Sequence, residues 1–107
     1  VRSWIGITMV DSRGINDKII SELNLPISIL LDENSVIVTS VFPASPAEKA
    51  GIQKGDIVRL FNDKKIKNSA ELARSVTYTP PDKTVYVTIE RRGKLFKISL
   101  KPALYNL

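Results

Sequence analysis

The chain contains no cysteine and no histidine. Without cysteine there is no disulfide and no thiolate ligand for a metal. That fits a reducing compartment, and equally an oxidising one in which the fold needs no bridge, so it does not place the protein. Without histidine there is no Ser-His or Cys-His nucleophile pair, and the commonest metal ligand is missing. An enzyme built from these residues alone would need a Ser-Lys pair or paired carboxylates, and no carboxylate pair stands at a spacing that argues for a site. No apolar run approaches the roughly 18 residues of a membrane span, and no secretory leader is recognisable. Internal repeats and low-complexity segments are absent too. The expectation is therefore no catalytic residue, no metal site, no cofactor and no membrane insertion within this chain.

What is present is ordinary for one folded unit. A length of 107 residues, 43% hydrophobic and 25% charged, fits a single globular domain. A chain of that size buries roughly two thirds of its unfolded surface, enough for one core without staples. It opens abruptly on strand-like residues at Val1-Arg2-Ser3-Trp4, as a fragment of a longer protein would. Charge is uneven: residues 1–48 hold three basic against six acidic residues, and residues 49–107 hold thirteen against five. Such a split flags an anionic partner, or lysines that blunt exposed strand edges.

The densest local signals lie between Pro43 and Asp56. Ser45 offers a helix cap, because its hydroxyl accepts a bond from an otherwise orphaned backbone N–H. Pro46 then stands at the first helical position, where its missing N–H is harmless. Glu48, three residues after Ser45, completes a capping box. Gly51 supplies the left-handed residue that closes a helix, and Ile52 the apolar contact beside it. Gly55-Asp56 turns into the apolar, β-branched run Ile57 to Phe61, a strand signal. Strand, short capped helix, turn and strand are predicted here.

Elsewhere the signals are sparser. Trp4 to Val10 is a strand-like run with Gly6 inside it. A glycine there marks a bulge or a close backbone approach, or else a nest whose outward N–H groups hold an anion. Asp11 to Gly14 is a turn cluster. Ile15 to Leu25 reads as an amphipathic helix, with Asn16 or Asp17 as cap and Pro26 as stop. Ile27 to Leu31 is short and apolar, Asp32 to Ser35 a polar turn, and Val36 to Phe42 the clearest strand. Lys54, Lys64, Lys65 and Lys67 read as solvated turn residues. Asn68 with Glu71 makes a second capping box, opening a helix on which Leu72, Ala73 and Val76 share one side. Thr79 to Lys83 is a proline-stiffened turn. Val85 to Arg91 and Lys94 to Lys101 form a hairpin with one apolar and one polar face. Nucleic acid is not expected as a partner, because stacking needs aromatics interleaved with the basic residues, and alternation puts Phe96 on the face opposite Lys97. Pro102 to Leu107 is expected to be a tail or linker.

Residues 41–57, Val-Phe-Pro-Ala-Ser-Pro-Ala-Glu-Lys-Ala-Gly-Ile-Gln-Lys-Gly-Asp-Ile, resemble the signature of PDZ domains. The likeness is closest to the type that follows the protease domain of HtrA (Deg-family) serine proteases, and it extends over roughly residues 2–101. It implies an α+β fold: a partly open β-sandwich or barrel of five to six strands with two main helices and one short capped helix. In that family a loop of aromatic-aliphatic-glycine-aliphatic pattern binds a peptide's C-terminal carboxylate, and Trp4, Ile5, Gly6 and Ile7 match it. The ligand then pairs with an edge strand, here Ile7, Thr8 and Met9. The helix carrying Ser69, Leu72, Ala73 and Val76 walls the groove, with either Leu72 or Val76 facing the last ligand side chain. Arg2 would assist the carboxylate electrostatically.

Two positions depart from the family pattern. Asn34 replaces a glycine and would take its left-handed geometry, and Asp63 replaces the glycine of an Asn-Gly hairpin, so a looser turn is expected. The implied role is recognition of peptides or unfolded proteins with hydrophobic C-termini. The parent would be an extracytoplasmic, trimeric serine protease of protein quality control and stress response, its triad outside this chain and its protease domain a partner of this one. Alternatives are a PDZ domain of another protease or secretion component acting as an assembly scaffold, and an anion-binding module using the basic C-terminal half.

Overall fold

In the computed structural model, residues 2–26, 29 and 35–105 are described. Eleven strands and α-helices follow in chain order among them: β1 (Arg2–Trp4), β2 (Ile7–Asp11), α1 (Asp17–Glu22), β3 (Val36–Val41), α2 (Pro46–Ala50), β4 (Ile57–Phe61), β5 (Lys64–Lys65), α3 (Ser69–Tyr78), β6 (Val85–Arg91), β7 (Lys94–Leu100) and β8 (Ala103–Tyr105). The architecture is α+β, as expected. One six-stranded antiparallel sheet runs β2-β3-β4-β6-β7 with β5 added to β4, and a second sheet joins β1 to β8.

β3 shows why the sequence reads as it does. Val36, Ile37 and Val38 are all fully buried. Val36 and Val38 belong to the main core with Val58, Phe61, Leu72, Val85 and Ile89. Ile37 points the other way, into a smaller core with Ile29 and Ile57, against which Val10, Ile20 and Leu23 pack. A strand covered on both faces needs no polar alternation, hence the unbroken β-branched run.

The short helix forms as its sequence dictates. Ser45 Oγ accepts from the Glu48 N–H at 3.2 Å, Pro46 occupies the first turn, and Gly51 closes the helix at φ 95°. The Ile52 N–H reaches the Ala47 carbonyl, and Ile52 itself is buried. Glu48 Oε1 accepts from Ala44, one residue before the cap. Past the helix, buried Asp56 takes the Gln53 N–H at 2.8 Å and a two-pronged contact from Arg91, Nε to Oδ1 at 2.8 Å and Nη2 to Oδ2 at 2.7 Å. That hydrogen bond holds the Arg91 guanidinium above its ordinary pKa against the opposing effect of burial.

Several expectations need correction. The first helix runs only over Asp17–Glu22, capped by Asn16. Asn24 adopts φ 54° and lets the Leu25 N–H close on the Ile20 carbonyl, which ends the helix before Pro26. The Asn62-Asp63 turn is tight rather than loose. Both residues take positive φ, 50° and 66°, and Phe61 pairs directly with Lys64, as in a two-residue type I′ hairpin. Asn62 is fixed there by the Tyr86 N–H, which donates to its Oδ1 at 2.9 Å. Residues 103–105, read as tail, form β8, and Pro102 before them is buried. The β6–β7 hairpin keeps its apolar and polar faces except at Leu95, which pairs with Glu90 on the polar side and is 65% exposed, and at its turn end, where Arg91 and Lys94 pair on the apolar side. Asn34 lies outside the described residues.

Candidate functional site

The run Trp4 to Val10 is not one strand. β1 leaves it to pair with β8, β2 to pair with β3, and the break falls at Ile5-Gly6. Gly6 has φ +85°, and a Cβ there would lie 2.2 Å from Ser45 Cβ and 2.8 Å from its Oγ. The loop therefore rests on the capping residue of α2, in a space only glycine fits.

That docking fixes the direction of the loop's peptide groups. The Ala47 N–H, an orphan donor at the start of α2, binds the Ile5 carbonyl at 2.9 Å, and the Phe42 N–H binds the Gly6 carbonyl at 2.8 Å. In a trans peptide the carbonyl and the following N–H point in opposite directions, and no bond among the described residues is cis. So the Gly6 N–H points away from α2 and the Ile7 N–H away from β3. Among the described residues, the N–H groups of Ile5 and Gly6 donate to no other backbone group.

The same alternation continues along β2. In an antiparallel ladder, hydrogen-bonded and non-bonded pairs alternate. The Phe42 N–H turns toward β2 to reach the Gly6 carbonyl, so Val41 opposite Ile7 makes a non-bonded pair, and Thr8 with Ser40 a bonded one. A bulge on β3 follows, the register resuming at Met9 with Val38. Ser12 bonds Ser35, which makes Met9 with Val38 a non-bonded pair. Ile7 and Met9 thus turn both backbone groups outward on an edge strand with no other strand beside it among the described residues.

Between this edge and α3 lies a cleft of about 230 Å³. Ile5, Ile7 and Met9 line one wall, Leu72, Ala73, Val76 and Thr77 the other, and Ser3, Trp4 and Gly6 its loop end. Leu72 and Val76 both reach it from buried positions, while Ala73 is exposed. Trp4 also meets Phe42, ring centroids 6.0 Å apart. None of the lining residues is charged, so an anion entering here would meet backbone dipoles. Two expected residues stand elsewhere. Thr8 turns to the opposite face of β2, its hydroxyl 2.7 Å from Thr39 and 2.5 Å from Ser40. Ser69 lies beyond the cleft, where its N–H and hydroxyl donate to the two carboxylate oxygens of Asp11 at 2.6 and 3.1 Å. The Arg2 side chain is outside the described part of the structure.

The sequence reading missed Asp11, and also Ser3, whose hydroxyl donates to the Thr79 carbonyl at the other end of α3. These contacts join residues 58 and 76 positions apart, and no local pattern announces them. Among the described residues, three of the thirteen basic residues in 49–107 stand in ion pairs: Arg59 with Glu90, Arg91 with Asp56 and Lys97 with Asp63. A polar recess of about 420 Å³ near Gln53 and Arg92 is built around the Arg91–Asp56 pair, which serves the fold.

A family model for the PDZ domain matches residues 3–101. The "Probable periplasmic serine endoprotease DegP-like" of Marinomonas sp. (strain MWYL1) is 34% identical over 99 residues, covering 92% of this chain and 19% of that protein. Serine endoprotease DegS of Haemophilus influenzae is 38% identical over 66 residues, covering 62% of this chain and again 19% of the relative. The chain thus spans less than a fifth of the length of either. Among solved structures, the HtrA3 PDZ domain bound to a phage-derived ligand (FGRWV) matches with TM-score 0.69 and 27% identity, over 94% of this chain and 85% of that one. The HtrA-type protease AlgW with a decapeptide, at 17% identity and TM-score 0.81, shares the fold over 99% of this chain and 30% of that chain.

Proposed function

The chain belongs to the PDZ domain family, and from that premise we propose that it captures the free carboxyl end of an extended peptide as an added strand beside β2. The observation that carries this is the loop at Ile5-Gly6-Ile7, whose carbonyls are held by Ala47 and Phe42 so that its N–H groups are left to a ligand. The terminal carboxylate sits against the amides of Ile5, Gly6 and Ile7. The last side chain, an apolar one, enters the cleft between Ile5, Ile7, Leu72 and Val76, with Trp4 at its loop end. The backbone then pairs with the outward groups of Ile7 and Met9, while Thr8 stays bonded to β3. Ala73, exposed on α3, faces the ligand from the other side.

The same reading extends to the parent protein: a trimeric, extracytoplasmic serine endoprotease of the HtrA type. This domain then recruits unfolded substrates or peptides that signal stress. Support comes from the names of the relatives and from solved structures of HtrA-type proteins with peptides. The chain has no histidine, so the triad belongs to another domain of that parent.

A one-strand interface is small, and a dissociation constant of roughly micromolar or weaker is expected. Calorimetric titration of a pentapeptide ending in a free valine, against its amidated copy, tests the reading. The free acid should bind at least about tenfold tighter, since the loop N–H groups lose a charged acceptor in the amide. Its affinity should change little with salt, whereas phosphate binding through the basic half would weaken steeply. Equal binding of the two peptides refutes carboxylate capture.

A further inference from the structure

The cleft ends at a polar bridge. Along β2 the side chains of Ile7, Met9 and Asp11 share one side, since side chains alternate along a strand. The first two line the cleft, and the third crosses to α3. Asp11 Oδ1 accepts the Ser69 N–H at 2.6 Å and Oδ2 accepts the Ser69 hydroxyl at 3.1 Å. Ser69 is the first residue of α3, whose cap, Asn68, accepts from the Glu71 N–H. The bridge therefore uses an N–H that has no partner inside the helix, and a carboxylate suits that end of a helix. At the opposite end of α3, Ser3 holds the Thr79 carbonyl. The helix is thus tied to the strand side of the molecule at both ends, with the apolar cleft open between the ties.

We infer that Asp11 is a positioning residue of the groove: its bridge to Ser69 sets the spacing of α3 from β2 and closes the groove to a ligand strand after about four residues. The inference rests on strand addition at β2, as proposed above. A ligand strand must lie about 4.8 Å from β2 in the plane of the sheet, with α3 on its far side. A side chain hydrogen-bonded directly from β2 to α3 occupies that path. From Ile7 to Asp11 the strand advances about 13 Å at 3.3 Å per residue, the span of about four ligand residues. Beyond them the ligand must leave the sheet, so residues further from the carboxyl end add no backbone pairing. The domain reads a short terminal segment, and the reading length is fixed by Asp11 rather than by the apolar walls.

Ser69→Pro is a clean probe. It removes both donors at once, yet proline is well tolerated at a first helical position. The preceding residue must be extended, and Asn68 already is, at φ −157° and ψ 171°. The measurement is titration of wild type, Ser69→Pro, Asp11→Ala and Asp11→Asn with synthetic peptides of three to eight residues. All share a C-terminal valine with a free carboxylate and are extended with alanine and serine. In the wild type, affinity should rise up to four residues and stay level beyond. In Ser69→Pro and Asp11→Ala, affinity for the four-residue peptide should fall about tenfold, and the gain from length should continue to six or eight residues. Asp11→Asn should recover most of the loss, because its Oδ1 still accepts from the Ser69 N–H. A loss of stability alone would lower all affinities without changing their dependence on length. If wild-type affinity keeps climbing from four to eight residues, or if the folded variants keep the wild-type length profile, the role of Asp11 is refuted. If wild type binds none of the peptides, strand addition itself is refuted, and the role of Asp11 falls with it.

Discussion

Adding one methyl group at Gly6 should both destabilise the domain and unseat its loop. Two terms contribute. At φ +85° an alanine takes a backbone conformation that L-residues avoid, which costs roughly 1–2 kcal/mol. Its Cβ would also lie 2.2 Å from Ser45 Cβ, a separation no carbon pair tolerates, so loop and helix α2 must part, and overpacking of this kind costs about 1–3 kcal/mol. Together Gly6→Ala should lower stability by about 2 to 5 kcal/mol, a large share of the roughly 5–15 kcal/mol available to a domain. The two terms separate in a double-mutant cycle. Ser45→Gly removes the opposing Cβ while weakening the helix cap by only a few tenths of a kcal/mol. In the Gly6→Ala background it should restore the steric part, a coupling of about 1 to 3 kcal/mol, and leave the backbone part in place. Urea unfolding with a constant slope measures all four proteins. Additive effects, or a Gly6→Ala loss below about 1 kcal/mol, would refute the claim that the loop is seated on Ser45.

Four other outcomes follow from the same geometry. Ala44→Gly should raise stability by about 0.5–1 kcal/mol, since Ala44 is exposed at φ 59° and relief of that strain outweighs the added freedom of the unfolded chain; a thermal melt should shift upward by a few degrees. Asp56→Ala should lower stability by about 3 kcal/mol, because it strands Arg91 and the Gln53 N–H beside a buried site. The raised Arg91 pKa means that this group's stabilisation is complete below the ordinary arginine range and is lost only above it, so a stability profile between about pH 5 and 8 should show no step from it. Ala73→Glu, on an exposed cleft wall, should leave the unfolding free energy from urea titration within about 0.5 kcal/mol of wild type while weakening peptide binding about tenfold or more by placing a negative charge beside the ligand.

What could be read in the sequence was what neighbouring residues decide together. Ser45, Pro46, Glu48 and Gly51 specify both ends of α2 within seven positions, and the helix forms there. Asn68 and the spacing of Leu72 and Val76 likewise place α3 and its buried side. Legibility fails where one residue's conformation depends on a distant partner. Asp63 makes a tight turn because Asn62 is gripped by Tyr86, 24 positions away. Residues 103–105 become a strand only because β1 lies beside them, and nothing in Ala-Leu-Tyr announces it. For the site, Gly6 was visible as an anomaly in a strand, but its cause, the approach of Ser45, was not. Asp11 looked like any turn residue until α3 was placed over it.

The central claim is that β2 offers unpaired backbone groups at Ile7 and Met9 to an incoming strand. Amide hydrogen exchange resolved by residue, with and without a saturating valine-terminated peptide, tests it most directly. In the free domain the Thr8 and Val10 amides, which face β3, should be protected, and those of Ile7 and Met9 should exchange quickly; the peptide should then protect Ile7 and Met9 along with Gly6. Protection of Ile7 and Met9 already in the free domain, or no change in them when peptide is bound, would contradict the account.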